Sequence, residues 1–264
     1  MSNDLGLFLR TLNERVKPEL LLERVVGGPP DDWQRTLMNS ASDIIMVLAS
    51  RRIGKSTTVG VMAGQELSKP DHQVIILSKT LPQSQLLFAK IAFTWEKMAL
   101  PIETKRRTMT ELHLKNGSSV VCVPAGQNGE QARGYGVKDG LLIYDEAAFI
   151  PDDVFGSTLS IAEDNAKTIL ITTPGGKSGK AYEMWSDWEM YPEVERIRAC
   201  SLDLPRMAKL VARQRKVLSK FEFDVEHGLN WMGRGQQFFD SAAIAAAFTD
   251  TPQLRLGDLY AGLD

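Results

Sequence analysis

The chain predicts an α/β fold, a mostly parallel sheet flanked by helices, with a small lid or linker subdomain toward its C-terminal end. Three features of the sequence predict it. Short apolar runs alternate with helical periodicity between residues 44 and 98, the βαβα order of parallel strands joined by crossover helices. The stretch "TELHLKNGSSVVCVPA" holds two alternating segments about Asn116-Gly117, a hairpin signal that adds antiparallel strands at a sheet edge. Beyond residue 200 the composition turns basic, then irregular, then Ala-rich, which marks 201–255 as a separate unit.

In chain order, Leu5, Phe8, Leu9, Leu12, Val16, Leu20 and Leu21 fall at near-helical spacing and predict an N-terminal helical arm over 1–30, broken by Gly27-Gly28-Pro29-Pro30. The core then runs over 31–200. "IIMVLA" (44–49) reads as its first strand, with a helix opening at Gly54; "QVIILS" (73–78) is the second, followed by an amphipathic helix from Pro82 to Met98. "GLLIYD" (140–145) and "KTILITT" (167–173) are strands of the buried type. A helix over 182–190 and a last strand "EVERIRAC" (193–200) complete the core. "LPRMAKLVARQRKVLSKF" reads as one basic helix with Lys209, Arg213, Lys216 and Lys220 on a single stripe, and an Ala-rich helix follows near 241–248.

Composition narrows the function. A chain of 264 residues, 43% of them hydrophobic, suffices for one substantial core, and no period repeats along it. A net charge of -2 means that a polyanionic partner must be met by local basic patches, of which Lys105-Arg106-Arg107 and the stripe are the candidates. Cys122 and Cys200 are far apart and His72, His113 and His227 are scattered, so neither a disulfide framework nor zinc-ligand spacing is present and a reducing, cytoplasmic setting is expected. There is no basic segment followed by an apolar stretch and cleavage site, and no apolar run nears the roughly 18 residues of a membrane span.

The chemistry concentrates in "ASRRIGKSTT" (49–58), between a strand and a helix. A phosphate-binding loop needs successive backbone N–H groups, a lysine for the β and γ phosphates and a hydroxyl for Mg²⁺; Ile53, Gly54, Lys55, Ser56 and Thr57 supply these. Ala49 stands where such loops carry their first glycine, and Arg51 or Arg52 offers charge-assisted hydrogen bonds to the γ-phosphate. "LLIYDEAAF" ends a buried strand in two carboxylates, which assigns Asp145 to the Mg²⁺ shell and Glu146 to the base that activates water. "DDWQ" places Gln34 to read an adenine edge with Trp33 packed nearby, or else Trp33 anchors the arm to the core. "ITTP" sets Thr172 and Thr173 beside the γ-phosphate as a sensor, and Arg133 in the Gly-rich "EQARGYGV" is placed to reach a phosphate, in a neighbouring subunit on one reading.

Taken together, "DDWQ", "SRRIGKST", "QARGYGV", "LLIYDEA", "ILITTPGG" and the terminal "LYAGLD" resemble the large terminase subunit, the DNA-packaging motor of tailed bacteriophages. The motifs match in order and approximate spacing from Asp31 to Asp264, and terminases commonly carry arginines before G-K-S/T. The resemblance implies an additional-strand P-loop ATPase using ATP and Mg²⁺, then a lid, then a nuclease. It also implies double-stranded DNA, a capsid portal and a small terminase subunit as partners, a homo-oligomeric ring, and action in the host cytoplasm at the procapsid. By the same resemblance Thr172-Thr173 is the coupling motif and Arg133 the trans-acting arginine finger. Residues 256–264 would open the nuclease, with Asp264 its first metal ligand; no acidic cluster follows, so no DNA cleavage is expected of this chain alone. Two rival readings are a helicase-like translocase, which needs a second motor domain, and a nucleotide-gated module that docks on a portal and barely hydrolyses.

Overall fold

The computed structural model describes residues 17–124 and 134–233. The start of the expected arm, Arg133, the Ala-rich stretch near 241–248 and the terminal segment with Asp264 lie outside the described residues.

The apolar runs become strands because side chains on both faces of each run find a core. They are β1 (Ile44–Ala49), β2 (Gln73–Ser78), β6 (Val137–Asp145) and β7 (Ala162–Thr172). Leu141 and Ile143 of β6 pack with Val47, Ile76 and Ile171 beneath α3 (Lys55–Leu67) and α4 (Leu81–Met98). Their neighbours Leu142 and Tyr144 point to the other face, against Val154 and Phe155 of α5 (Asp152–Thr158) and Met184 of α6 (Lys180–Ser186). The two-residue period of a strand thus divides one apolar run between two cores. The first of these faces is completed by α1 (Glu19–Val26) and α2 (Asp32–Asn39), whose Leu21, Leu22, Trp33 and Leu37 are buried there.

With β3 (Thr104–Arg107), β4 (Glu111–Leu114), β5 (Ser119–Pro124) and β8 (Val194–Ala199), the strands form one eight-stranded sheet in the order β3-β4-β5-β2-β6-β7-β1-β8. Pairing is parallel from β5 across to β8 and antiparallel only for β3-β4 and β4-β5. The expected hairpin is therefore β4-β5, and β7, between β6 and β1, is the additional strand. Register sets the carboxyl ends level, with Leu48 opposite Thr172, Asp145 opposite Ile171 and Ser78 opposite Asp145. Loops leaving these ends share one edge of the sheet, where open parallel sheets bind ligands. Close approach is built in at Gly140, since a Cβ there would lie 1.9 Å from the Gln73 carbonyl oxygen.

The sequence reading missed three elements, α2, β3 and the seven-residue α5, and misplaced a fourth. α2 escaped because its eight residues are too few to show periodicity; its Asp31-x-x-Gln34 capping box is the legible signal. β3 is an edge strand with all four residues exposed, so no hydrophobic pattern marks it. Its Arg106 and Arg107 pair with Glu111 and Glu96, and charged residues on an edge also discourage further strand pairing. The single basic helix is corrected to two, α7 (Ala208–Gln214) and α8 (Lys220–Glu226), because Ser219 closes a capping box with Glu222 and starts a new helix. Lys216 then falls in the turn, and the four basic residues do not share one stripe. Residues 201–233 return to the core: Ser201, Met207, Phe223, His227 and Leu229 are buried.

Candidate nucleotide site

β1 delivers Ala49 to the carboxyl edge of the sheet, and the chain turns through Ser50–Gly54 into α3. Ala49 is an ordinary strand residue paired with Ala199, so its methyl group costs the loop nothing. The left-handed positions are Arg52, at φ 64°, and Gly54, at φ 101°. A side chain in that region is strained by about 1 kcal/mol or more, which Gly54 avoids and Arg52 bears. Among the described residues, no backbone N–H from Arg52 to Ser56 donates to a backbone carbonyl. Such a row of donors at a helix N-terminus carries partial positive charge and suits an anion.

Lys55 sits in this turn 8% exposed, its Nζ 3.1 Å from Glu146 Oε1 and 3.4 Å from the Ala49 carbonyl oxygen. Glu146 reaches it because the residue after β6 adopts φ 54°, a left-handed turn that folds the carboxylate back over the sheet edge. Its other oxygen accepts from Thr173 twice, from the backbone N–H and from Oγ1, at 3.0 Å each. Thr172 is fully buried; its hydroxyl donates to the Thr173 carbonyl at 2.7 Å and accepts from Ala148 N–H at 3.1 Å. The lysine, the acidic pair and the threonines thus meet in one place. Ser56 and Thr57 are half-buried in the first turn of α3, and Thr57 N–H bonds the Gly54 carbonyl.

The charges are unevenly compensated. Burial lowers the Lys55 pKa against the pull of Glu146. Burial by itself would raise the Glu146 carboxyl, but the Lys55 charge and the Thr173 hydrogen bonds outweigh it and hold the group below the usual carboxylate range. For Asp145 the balance runs the other way: burial, then the Glu146 charge, outweigh the attraction of Lys55 and Lys90 and a hydrogen bond from the Glu146 N–H, and push the carboxyl up to about 6. A half-buried carboxylate whose charge its surroundings disfavour, at the same sheet edge as the half-buried Ser56, fits a divalent cation that also takes phosphate oxygens as ligands. Because its folded pKa is raised, Asp145 keeps a proton in the native state where the unfolded chain has lost it, so stability falls as pH rises from about 4 to about 6 and stays lower above. Asp145→Asn is accordingly expected to raise the melting temperature above about pH 6 in chelator, with the gain vanishing near pH 4. A gain independent of pH in thermal melts would reject this assignment.

Several expected residues serve the loop from outside. Gln34 is 6% exposed and both ends of its amide are engaged, Oε1 accepting from Asp31 N–H at 2.8 Å and Nε2 donating to Thr58 Oγ1 at 2.7 Å. Through these two bonds it ties α2 to α3. Trp33 is buried, its Nε1 bonded to Asp31, so it anchors α2 to the core. Ile53 is fully buried, and exposed Arg51 pairs with Glu226 at 3.0 Å. Sequence reasoning missed Arg206, which joins Asp31 to the Ile53 carbonyl from 153 residues away, and no local signal announces a contact of that span.

The family model for "Terminase large subunit, T4likevirus-type, N-terminal" matches residues 46–259. No curated protein gives a significant match. Among solved structures, the chain is similar to the large terminase ATPase domain of Thermus phage P74-26, with 23% identity, TM-score 0.66, and coverage of 80% of this chain and 97% of that one. It is similar to the large terminase of a thermophilic bacteriophage in complex with ADP at 14% identity and TM-score 0.62, covering 80% of this chain and 53% of that one. The HK97 bacteriophage large terminase gives 13% identity and TM-score 0.63, covering 82% and 55%. The chain therefore spans about half the length of the last two, and at these identities the likeness concerns the fold.

Proposed function

This chain belongs to the terminase large subunits, and from that premise we propose that ATP and Mg²⁺ bind between the Gly54 turn and the carboxyl end of β6. Large terminase subunits hydrolyse ATP to drive viral DNA packaging, and this chain carries their ATPase region. Lys55 binds the β and γ phosphates together with the N–H groups of residues 53–57, and Arg51 or Arg52 reaches the γ-phosphate from the loop. Asp145 and the Ser56 hydroxyl would hold Mg²⁺, which would supply charge neutralisation to the phosphates. Glu146 takes the proton of the attacking water. Its Oε1 accepts from Lys55, so the same lysine that binds phosphate also orients the carboxylate. Thr173, already bonded to the other oxygen, keeps the carboxylate in place, and Thr172-Thr173 carries the change along the strand end.

The observation that carries this reading is the 3.1 Å contact between Lys55 and Glu146, which joins a row of donors to an acidic strand end that lies 91 residues away. Arg133 is the trans-acting finger that the resemblance implies, and a ring lets each finger complete the next subunit's site. Residues 201–255 act as lid or linker, DNA and the portal with a small terminase subunit are the partners, and the setting is the host cytoplasm at the procapsid.

Steady-state ATP turnover with and without duplex DNA tests the reading, with stimulation expected. Mixing Arg133→Ala with wild-type protein should depress turnover by more than the mutant fraction, because each mutant disables a neighbour. Turnover indifferent to duplex, or strand separation on forked DNA, would reject the packaging role; strictly proportional loss in the mixtures would remove the trans finger.

A further inference from the structure

We propose that Arg206 is a positioning residue for the phosphate loop, one that holds the Ile53–Gly54 peptide so that the Gly54 N–H faces bound phosphate. The inference rests on reading that loop as a nucleotide site.

Arg206 lies in the turn between β8 and α7, far from the loop in sequence. Its Nη2 donates to the Ile53 carbonyl at 2.7 Å. Its Nε donates to Asp31 Oδ1 at 3.0 Å and Oδ2 at 3.1 Å, and Nη2 also bonds Oδ2. The carboxylate that orients the guanidinium is itself fixed, since Asp31 caps α2 in a capping box with Gln34 and accepts from Trp33 Nε1. Arginine's planar fork makes such a double attachment directional in a way that a lysine's single ammonium does not.

A trans peptide is planar, with its carbonyl and the following N–H on opposite sides. Anchoring the Ile53 carbonyl on Arg206 therefore turns the Gly54 N–H away from Arg206. That N–H donates to no backbone carbonyl among the described residues. At φ 101° glycine has no Cβ to restrain the plane, so the residue that makes the turn possible leaves its peptide free to rotate unless something else holds it. The next carbonyl, that of Gly54, is also held, by the N–H groups of Thr57 and Thr58 at 3.0 Å each and by Thr58 Oγ1 at 3.1 Å. Thr58 Oγ1 in turn accepts from Gln34. The hydrogen bonds close a circuit through Arg206, Asp31, Gln34, Thr58 and the loop, and residues 31–34 act on phosphate through the loop's geometry. Linkage follows: if the Arg206 contact strengthens phosphate binding, bound phosphate equally strengthens the docking of residues 205–207.

An arginine that merely ties its own turn to α2 would change stability and leave affinity alone, so the test measures both. Calorimetric titration with ADP in Mg²⁺ is made on wild type, Arg206→Met, Arg206→Lys and Asp31→Asn. Arg206→Met is expected to weaken ADP by about ten- to hundred-fold, the size of a lost charge-assisted hydrogen bond. It should raise the KM for ATP in step, while kcat at saturation changes less than about threefold. Arg206→Lys should fall between. Asp31→Asn keeps the helix cap but releases the guanidinium, so it should weaken ADP too, and adding it to Arg206→Met should cost little more. Wild-type ADP affinity in Arg206→Met, or a lowered melting temperature with unchanged affinity, overturns the proposal. Failure of the wild type to bind ADP would instead remove the nucleotide site itself.

Discussion

Glu146→Gln is expected to leave ATP bound and to reduce kcat by roughly 10²- to 10⁴-fold, the usual contribution of a positioned base. Glutamine keeps an oxygen to accept from the Thr173 N–H and hydroxyl, so the turn after β6 retains its anchor. What disappears is the proton acceptor, together with the negative charge that pairs with Lys55 at 3.1 Å. Affinity for ATP should consequently be equal to wild type or a little tighter, because phosphate no longer competes with a carboxylate for the ammonium. Single-turnover hydrolysis beside equilibrium titration separates the two effects. Turnover at the wild-type rate would show that the base lies elsewhere, and lost binding would show Glu146 to be a structural support of the loop.

Lys55→Met should do the reverse. Nucleotide affinity is expected to fall at least about hundred-fold, since the buried ammonium is placed to meet the phosphates from inside the turn, and hydrogen bonds to charged groups carry about 1.5–3 kcal/mol each. Stability of the free protein should change little by comparison. Burial already lowers the Lys55 pKa against the attraction of Glu146, so a large desolvation cost offsets the ion pair, and methionine fills the stem's volume. Thermal melts with and without ADP read both quantities. Wild type should gain stability as ligand rises above its Kd, about 2.7 kcal/mol at a hundredfold excess, and Lys55→Met should gain almost none at the same concentration. A full ligand-induced shift in the variant would remove Lys55 from the phosphate site.

Legibility followed the range of the interactions. β1, β2 and the later parts of β6 and β7 were readable because each is a run of apolar residues buried on both faces, whereas the first residues of β6 and β7, 137–139 and 162–166, carry no such pattern. The β4-β5 hairpin was readable from Asn116-Gly117, where the turn chemistry is local, and Gly117 indeed takes φ 88°. β3 was hidden because an exposed edge strand has no apolar face, and the break between α7 and α8 because one serine's cap overrides a longer periodic stretch.

Residue type and local setting were enough to single out the candidate groups: a lysine after Gly54 at a strand-to-helix turn, and two carboxylates ending a buried strand, stand out within a few positions of chain. What each of those groups faces was settled only by folding. That Glu146 grips both Lys55 and Thr173, that Gln34 ties α2 to Thr58 of α3, and that Arg206 holds the Ile53 carbonyl are contacts between residues 24 to 153 positions apart. A propensity or a period reports the free energy of a segment against solvent, whereas these contacts exist only once the parallel register has brought distant strand ends to one edge.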